Sequence, residues 1–374
     1  MIKIPKLCYN SFMVIHLTKK LADKLKISPA KAESVNEFLS WRANYIQGHG
    51  YRMVVFMNDA SRFTVVVNDA KAAKLKKLPE MFVHALVDTL HSLNVNMEVI
   101  GCYLEELGNK IIYTKNADRK KTAQLNKQAE AVLWALEDSS NDTELSLYAN
   151  KFICNVTGND EHFIPKEKML ELLGKYGLPV IKCTAFDLNV RLLLGGDGRD
   201  AIRRLRVPTN ISFEYLHCIL QAAFGWQDCH LYNFGMLKDW DIANYHKPEV
   251  SLISNNEDLE YNPDAIFADS KKLIDYMLKY QKIIYIYDYG DGWLHQIEVE
   301  NLITDCQEEL PILLSGEGNS PPEDVGGSGG FAEFLDIINN PKHVEFENMK
   351  NWAEGQRWKP FDFKKAEINV KNAL

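Results

Sequence analysis

An aspartate and a histidine stand on opposite arms of the clearest hairpin pattern in the sequence. The strand-like runs Lys282–Tyr289 and Trp293–Glu300 lie on either side of Asp291-Gly292, a dipeptide typical of a two-residue type I′ turn, in which both central residues have positive φ. This register places Asp288 directly opposite His295, with their Cβ atoms about 5 Å apart. A histidine that is oriented by a carboxylate can act as a general base or as a metal ligand. The spacing therefore predicts Asp288 and His295 as a catalytic pair.

The same register leaves a purely structural role open for this pair. It predicts one apolar face, in which the aspartate and the histidine are the two ionisable members, and a second face of ordinary amphipathic surface. The apolar face carries Ile284, Ile286, Asp288, Trp293, His295, Ile297 and Val299, and the surface face carries Tyr285, Tyr287, Tyr289, Gln296, Glu298 and Glu300. A buried carboxylate needs a partner in any fold, so the two residues could simply satisfy each other's hydrogen-bonding groups. Both interpretations stand at this point.

A second histidine, His230, is a candidate for the same site. It follows the tight break Gly225–Asp228 and opens the strand-like run HLYNF. Two imidazoles and one carboxylate form a ligand set that suits zinc or another transition metal. If the fold brings His230 to the hairpin, the sequence predicts a metal site made of His230, Asp288 and His295.

The glycine-rich loop GEGNSPPEDVGGSGG has the composition of a phosphate-binding loop without its essential residues. It lacks the Gly-Lys-Ser/Thr of a P-loop, and it does not follow a strand inside a βαβ unit. Its consecutive prolines before Glu323-Asp324 predict a rigid turn that leads into a helix. The nucleophile motif GxSxG does not occur in the chain. We therefore predict no cofactor.

The composition excludes disorder and predicts a cytoplasmic protein with more than one domain. Of the 374 residues, 46% are hydrophobic and 25% are charged, which is the balance of a globular protein. No apolar run approaches the roughly 18 residues of a membrane-spanning helix, so no membrane partner is predicted. The first residues lack the pattern of a secretory signal. The seven cysteines form no CxxC motif and are interpreted as reduced thiols.

Net charge is distributed unevenly along the chain. The total is −8, but residues 1–150 carry +4 and residues 151–374 carry −12. An acidic domain repels nucleic acid, so only the first part offers basic clusters, at Lys71–Lys77 and Lys115–Lys127. No aromatic residue interleaves with either cluster, which favours solvated helix surfaces over a nucleic-acid interface. The partner is therefore unknown, and a protein is preferred over a nucleic acid.

Hydrophobic patterning predicts an α+β fold of two domains, each a mainly antiparallel sheet packed with helices. Strand-like runs alternate with helical stripes in residues 1–140, where Met97–Tyr103 has the pattern of a strand. The polar segment Glu137–Glu144 marks a break, and a helix that begins at Pro165 and ends at Gly177 follows it. We predict a first domain at 1–140, a helical linker at 141–178 and a second domain at 179–374.

Four segments of the second domain resemble a known family. The resemblance is to the Ri-plasmid ORF-three-like family, covers about residues 180–372 and rests on LHCILQAAFGWQDCHLYNF, YIYDYGDGWLHQIEVE, GEGNSPPEDVGGSGGFAEFL and WKPFDFKKAEIN. Members occur on plasmids, in insertion elements and in many bacterial genomes, and the resemblance implies an α+β domain without assigning an activity. The usual pattern has a cysteine on each side of PPED, where this chain has Ser320 and Val325.

The first domain is similar to a separate bacterial domain of unknown function. This similarity rests on IHLTKKLADKL, WRANYI, VVFMNDASRFTVVV and NADRKKTAQLN. It implies no activity.

These observations lead to one main hypothesis and two alternatives. The main hypothesis is a non-catalytic binding or regulatory module of the bacterial cytoplasm that is associated with plasmids or mobile elements. The first alternative is a metal-dependent hydrolase that uses Asp288, His295 and His230. The second is nucleic-acid binding through the basic first domain, which would show as salt-dependent retention on DNA.

Overall fold

The chain divides into two structural units between Lys182 and Cys183. The computed structural model describes residues 12–31, 36–136, 141–155, 162–195, 200–256, 259 and 262–373. Each unit contains a β-sheet and helices, which confirms the predicted α+β class with two sheet-bearing domains. Among the described residues, no helix combines the length and the apolar character that crossing a membrane requires.

The main sheet of the first unit contains parallel and antiparallel pairs. Its strands are β1 (Phe12–Leu17), β2 (Ser40–Gln47), β3 (Arg52–Asn58), β4 (Thr64–Asn68) and β5 (Lys110–Lys115). They lie in the order β4-β3-β2-β1-β5. Strands β2, β3 and β4 pair antiparallel, whereas β1 is parallel to both β2 and β5. The sheet is therefore mixed. The chain passes through the helix Lys19–Leu25 between β1 and β2, and through β2–β4 and further helices between β1 and β5, and connections of this length permit parallel pairing.

The segment 141–178, predicted as a linker, packs within the first unit. The helices of this unit are α1 (Lys19–Leu25), α2 (Ala72–Lys76), α3 (Leu78–Ser92), α4 (Met97–Leu107), α5 (Arg119–Ala135), α6 (Asp142–Ala149) and α7 (Pro165–Leu173), and a short strand pair is formed by β6 (Cys154–Asn155) and β7 (His162–Phe163). Leu145 and Ala149 of α6 are buried with residues of α5. Met169 and Leu173 of α7 are buried in the main core of the unit. The first unit therefore extends to Lys182 rather than to residue 140.

Helix α4 occupies the place where the sequence pattern suggested a strand over Met97–Tyr103. Asn96 starts the helix, because its side chain accepts a hydrogen bond of 3.0 Å from the Glu98 N–H. The buried residues recur at helical spacing and are Val99, Ile100, Tyr103 and Leu107. The strand prediction was wrong because it weighed a short run of β-prone residues above the cap and the longer helical period.

The sheet of the second unit is antiparallel apart from one pair. Its strands are β8 (Cys183–Leu192), β9 (Ala201–Pro208), β10 (Tyr232–Met236), β11 (Val250–Ile253), β12 (Ile266–Phe267), β13 (Lys282–Tyr287), β14 (Trp293–Cys306) and β15 (Ile312–Glu317). They lie in the order β12-β11-β10-β13-β14-β8-β9-β15. Only β11 and β12 are parallel among these neighbours in the described part of the chain. This arrangement agrees with the predicted antiparallel sheet.

Helices of the second unit share one large core with this sheet. They are α8 (Phe213–Phe224), α9 (Leu273–Tyr280), α10 (Gly327–Ile338), α11 (Phe346–Gly355) and α12 (Phe363–Lys371). Ser212 caps α8, since its hydroxyl accepts a hydrogen bond of 3.1 Å from the Tyr215 N–H. Gly225 ends α8 in the left-handed conformation, with a φ of 78°. The end of α8 is therefore sharply defined, and the chain turns there toward β10.

A five-residue loop, not a two-residue turn, connects β13 and β14. Tyr287 and Trp293 are cross-strand partners, so residues 288–292 form the loop. The Gly292 N–H donates a hydrogen bond of 2.6 Å to the Asp288 carbonyl. Asp288 takes the left-handed conformation with a φ of 57°, whereas Asp291 does not. Asp288 tolerates this conformation because its Oδ1 accepts the Gly290 N–H at 2.9 Å, as in an Asx-turn.

The longer loop shifts the register of the hairpin, and the predicted Asp288–His295 pair does not form. His295 lies opposite Tyr285. The core face of the hairpin is almost fully buried and carries Ile283, Tyr285, Tyr287, Trp293, His295 and Ile297. Ile284 and Ile286 lie on the other face. The predicted assignment of faces along β13 was therefore inverted.

Candidate functional site

Loops of the second unit meet at the end of β10 and β13. They are the α8–β10 loop (residues 225–231), the hairpin loop (residues 288–292) and the PPED loop (residues 319–326). Because β10 and β13 are antiparallel neighbours, the residue before β10 and the residue after β13 lie at the same end of the sheet. Accordingly, the Asp288 N–H donates to the Leu231 carbonyl at 3.0 Å. The Gly326 N–H donates to Asp291 Oδ2 at 3.1 Å, which joins the PPED loop to the hairpin loop.

The imidazole of His230 lies among carboxylates from two of these loops. Its Nε2 atom is 3.5 Å from Asp288 Oδ2 and 3.2 Å from Asp324 Oδ1. The same atom is 3.9 Å from Glu323 Oε2. His230 Nε2 is buried and makes no hydrogen bond within the part of the chain that the structure describes. The structure thus brings together His230 and Asp288, two of the three residues predicted from the sequence as metal ligands.

Ligand-type atoms of this cluster fall into two overlapping groups. In one group, the atoms of His230, Asp288 and Asp324 lie within 4.8 Å of one another. In the other, the same limit joins His230 to Cys229 and Glu323. Both groups share the His230 imidazole. Because they share His230 but do not merge at this limit, they form one cluster with two overlapping sets of ligand atoms.

Glu323 is anchored through one carboxylate oxygen and leaves the other without a partner. Its side chain is 3% exposed. Oε1 accepts hydrogen bonds from the Gln227 N–H at 2.8 Å and from the Tyr287 hydroxyl at 3.1 Å. Oε2, which faces His230, is buried and has no hydrogen-bond partner among the described residues. Burial raises the pKa of the Glu323 carboxyl.

The cluster has a buried side and a solvent side. Asp288 lies on the buried side: its Oδ1 accepts the Gly290 and Asp291 N–H groups, and its Oδ2 faces His230. The Asp324 side chain is 62% exposed, and that of His230 is 26% exposed. Solvent can therefore reach the cluster from the PPED loop.

Sequence reasoning missed the two acidic residues of the PPED loop. Glu323 and Asp324 were interpreted only as the continuation of a rigid turn. The available signal was the acidic pair itself, which directly follows Pro321 and Pro322. Its distance along the chain from His230 gave no indication that the two would meet.

A buried arginine positions the chain that enters the PPED loop. Arg203 is 1% exposed, and burial lowers its pKa to about 10. Its guanidinium makes five hydrogen bonds, with Ala223 O, Ile202 O, Glu317 O, Gly318 O and Ser320 Oγ. Ser320 stands where the family pattern has a cysteine, and here it accepts one of these bonds. Arg203 therefore ties β9 to the start of the loop that supplies Glu323 and Asp324.

Tryptophan side chains also bind the PPED loop. Trp226 Nε1 donates to the Pro321 carbonyl at 3.0 Å, and Trp358 Nε1 donates to the Ser320 carbonyl at 2.8 Å. Pro321 and Pro322 restrict the backbone at the same place, since each fixes its own φ. The loop is thus held from several elements, which agrees with the rigid turn predicted from its prolines.

A second aspartate–histidine pair, which the sequence analysis did not identify, holds the α8–β10 loop. His217 Nε2 lies 2.7 Å from Asp228 Oδ1, and His217 Nδ1 lies 2.8 Å from the Tyr285 hydroxyl. The hydrogen bond with His217 lowers the pKa of Asp228. His217 is also stacked on Tyr232. Since Asp228 is two residues before His230, this pair positions the loop that carries the imidazole.

His295 lies outside the cluster, so the predicted group of His230, Asp288 and His295 is not formed as a whole. Its ring is fully buried, and burial lowers its pKa to about 3. The neutral ring therefore donates from Nδ1 to the Trp293 carbonyl at 3.0 Å, with the Tyr285 carbonyl at 3.3 Å. Its other neighbours are aromatic rings, among them Trp226. These contacts show that His295 belongs to the buried core of the second unit.

Acidic residues partly neutralise the basic clusters of the first unit. Lys71 Nζ lies 2.9 Å from Asp69 Oδ2. Lys121 pairs with Glu37, and its Nζ lies 3.3 Å from Asp59 Oδ2. Nucleic-acid binding through Lys71–Lys77 or Lys115–Lys127 thus stays a hypothesis from composition.

Comparisons with known proteins match the two units separately. The profile of the plasmid pRiA4b ORF-3-like proteins matches residues 185–370, and that of DUF6933, a domain of unknown function, matches residues 14–168. The uncharacterized protein y4hQ of Sinorhizobium fredii (strain NBRC 101917 / NGR234) is 35% identical over 160 residues, which are 41% of this chain and 73% of that protein. These matches confirm both resemblances.

A similar solved structure is that of MM3350, a protein of unknown function from Methanosarcina mazei Go1. It is 28% identical, with a TM-score of 0.40, and the match covers 48% of this chain and 96% of that chain. The assignment of the second unit rests on the profile match and on the y4hQ relative. Through residues 185–370, the chain belongs to the plasmid pRiA4b ORF-3-like family.

Proposed function

We propose that the second domain binds one divalent transition-metal ion through His230, Asp288, Glu323 and Asp324. The observation that carries this proposal is a pair of buried ligand atoms, His230 Nε2 and Glu323 Oε2, which lie 3.9 Å apart. Neither atom makes a hydrogen bond within the described chain. Buried polar atoms without partners are rare in native proteins, and a bound cation would satisfy both of these.

The spacing of the ligand atoms supports the same proposal. In a tetrahedral zinc site, bonds of about 2.1 Å place neighbouring ligand atoms roughly 3.4 Å apart. The distances from His230 Nε2 to the oxygens of Asp288, Asp324 and Glu323 are 3.5, 3.2 and 3.9 Å. These distances bracket the tetrahedral value, and four-ligand binding of one ion requires the Glu323 carboxylate and the two aspartate carboxylates to move toward each other.

Outer contacts hold two of the proposed ligands in place. The Gln227 N–H and the Tyr287 hydroxyl bind Glu323 through the oxygen that does not face His230. The Gly290 N–H binds Asp288 through Oδ1, which leaves Oδ2 directed to the imidazole. Such hydrogen bonds to the non-ligating atoms are usual around metal sites, because they orient the ligands before the ion binds.

Zinc is the ion that this ligand set favours. An imidazole with carboxylates binds several first-row metals, and a thiolate shifts the preference toward zinc. The Cys229 thiol is grouped with His230 and Glu323 and offers an alternative ligand on that side of the cluster. We therefore choose Zn²⁺ as the first ion to be tested.

The role of the ion distinguishes two candidate functions. The main one is a non-catalytic binding or regulatory module, with the metal site as its binding element and the cytoplasm as its setting. Its association with plasmids or mobile elements is supported by its membership in the plasmid pRiA4b ORF-3-like family. Within the described part of the chain, free thiols are found at Cys102, Cys154, Cys183, Cys229 and Cys306, which supports a reducing compartment.

Metal-dependent hydrolysis is the second candidate, because one side of the site is open. The 62% exposure of the Asp324 side chain lets water approach the ion. Catalytic zinc sites keep such an open position, whereas structural zinc sites are closed by four protein ligands. In this form of the proposal, His230 and Asp288 would hold the ion, and the ion would supply the activation of water for hydrolysis.

Zinc titration of the metal-free full chain by calorimetry tests the proposal. We expect one ion per chain with a Kd near or below about 1 µM, a binding free energy of about −8 kcal/mol. His230→Ala and Glu323→Gln should each weaken binding at least about tenfold. His246→Ala and Glu333→Gln change exposed residues of the same types and should leave binding unchanged. No zinc binding by the wild type, or equal binding by all four variants, would contradict the proposal.

Turnover of a synthetic phosphodiester separates the two candidate functions. The probe is bis(p-nitrophenyl) phosphate, incubated with the zinc-loaded chain and with the Asp288→Asn variant. Zinc-dependent release of nitrophenol that the variant loses would favour the hydrolase. Zinc binding without turnover of this probe, or of p-nitrophenyl acetate, would favour the non-catalytic module.

A further inference from the structure

Two cysteines face each other across adjacent strands in the second unit, away from the proposed metal site. Cys183 is the first residue of β8, and Cys306 is the last residue of β14. These strands are antiparallel, and the two cysteines are cross-strand partners. Cys306 is 3% exposed, Cys183 is half-buried, and both thiols are free. The pair is thus brought together by the sheet and not by a flexible loop.

The backbone geometry of this pair matches that of a disulfide. Directly opposed residues in an antiparallel sheet have Cα atoms about 4.5–5.5 Å apart. Disulfides span Cα separations of about 4.4–6.8 Å. The register of β14 is irregular between Ile303 and Cys306, which gives the strand local freedom to adjust. The two strands therefore need little movement to accommodate a bond between the sulfur atoms.

The two thiols are cross-strand neighbours in the reduced form. Burial, followed by the interaction with the Cys306 thiol, raises the pKa of Cys183 to about 12. The Cys306 thiol also lies 4.0 Å from Glu308 Oε2. Burial thus disfavours the thiolate of Cys183, so the pair should be oxidised slowly near neutral pH and faster as the pH rises.

We propose that Cys183 and Cys306 form a reversible cross-strand disulfide when a low-molecular-weight disulfide serves as the oxidant. One cysteine attacks the oxidant as a thiolate, forms a mixed disulfide and releases one thiol. The second cysteine then attacks the protein sulfur of the mixed disulfide and releases the second thiol. The two cysteines lose two protons and two electrons in total, and the S–S bond of the oxidant is reduced to two thiols. Cys183 takes the first step because it is the more exposed of the two.

The bond would tie the beginning of β8 to the end of β14. These two strands pair along most of their length, and β8 opens the second unit. A covalent link at this end prevents the strands from separating there and restricts the unfolded chain across all residues between the two cysteines. Oxidation is therefore expected to raise the urea concentration at which the second unit unfolds, independently of any metal ion.

Thiol counting and peptide mapping of the full chain test this proposal. The chain is incubated with oxidised glutathione or with dithiothreitol, and the thiols are then titrated in urea. We expect the titre to fall from seven thiols to five, the mass to fall by about 2 Da, and a peptide that links Cys183 to Cys306, all reversed by dithiothreitol. The map of the wild-type chain needs no variant, so a folding defect cannot obscure the result.

Serine variants provide the matched controls. Cys183→Ser and Cys306→Ser should lose the cross-link. In each variant, the remaining cysteine of the pair, once it has reacted with oxidised glutathione, should retain glutathione as a mixed disulfide. Cys102→Ser, which changes a partly buried cysteine of the first unit, should form the cross-link as the wild type does. Seven titratable thiols after prolonged oxidation, or a linked peptide that joins other cysteines instead, would overturn the proposal.

Discussion

Replacing His295 by leucine should flatten the acid side of the stability profile. The neutral ring is fully buried, and its pKa is lowered from 6.5 to about 3. In the unfolded chain the same histidine takes up a proton near pH 6.5. Between these two values the unfolded state binds more protons than the native state, so the stability contributed by this group falls as the pH falls. Leucine has no titratable group, so the variant lacks this pH-dependent loss of stability, and the leucine side chain fills a comparable volume.

The size of the effect follows from the two pKa values. For each pH unit below 6.5, the His295 contribution lowers the free energy of unfolding of the wild type by about 1.4 kcal/mol, until the native ring is itself protonated near pH 3. Between pH 7.5 and pH 5.0 the free energy of unfolding should therefore fall by about 2 kcal/mol more in the wild type than in His295→Leu. At pH 7.5 the variant should be less stable by about 1–2 kcal/mol, because the Trp293 carbonyl loses its donor.

Urea unfolding at pH 7.5, 6.0 and 5.0 measures this difference. The indole of Trp226 lies 5.3 Å from the His295 ring, so tryptophan fluorescence reports on this part of the core. The exposed His246 serves as the control, since His246→Leu should keep the acid loss of the wild type. Parallel pH profiles for the wild type and His295→Leu would refute the burial of a neutral imidazole at this position.

Further predictions concern the loop scaffold and the division of the chain. A Cβ at Gly330 would overlap the Val325 carbonyl, so Gly330→Ala should lower the free energy of chemical unfolding by about 1–3 kcal/mol. A Cβ at Gly329 meets open space, so the control Gly329→Ala should be neutral or slightly stabilising. Arg203→Met should lower the free energy of unfolding by about 2–3 kcal/mol and weaken zinc binding, because carbonyls that lead into the PPED loop lose their donor. The control Arg204→Met removes only an exposed ion pair and should lower it by less than about 1 kcal/mol. The fragment 183–374 should unfold in one cooperative transition, and an aggregated fragment would count against an independent second domain.

Local patterns in the sequence were sufficient to predict many elements, because their signals lie within a few residues. The strand Phe12–Leu17 and the helix that begins at Pro165 were recovered from periodicity and from residues that start helices. The pairing of β13 was not recoverable in this way, because both of its faces look apolar. Ile284 and Ile286 alternate with Tyr285 and Tyr287, and either pair is able to face a core.

The correct register depended on interactions that no local pattern encodes. Asp288 adopts the left-handed conformation, and its carbonyl accepts the Gly292 N–H, which lengthens the loop. Tyr285 and Tyr287 also have buried partners for their hydroxyl groups in His217 and Glu323. Those partners come from α8 and from the PPED loop, so tertiary contacts decide which face of β13 joins the main core of the second unit.

The candidate site was predictable only in part for the same reason. His230 and Asp288 meet because β10 and β13 are neighbours, which required a fold and not a motif. Glu323 and Asp324 reach them through a loop held by Arg203. None of these distant contacts has a signature in the spacing of residues along the chain.

Anomalous diffraction at the zinc absorption edge would test the metal proposal most directly. Crystals of the full chain grown with Zn²⁺ should show one anomalous peak about 2.0–2.1 Å from His230 Nε2, with carboxylate oxygens of Asp288, Glu323 or Asp324 at similar distances. Crystals of His230→Ala should lack this peak. A zinc-soaked wild-type crystal without the peak, in which a protonated His230 donates directly to Asp288 or Asp324, would contradict the proposed site.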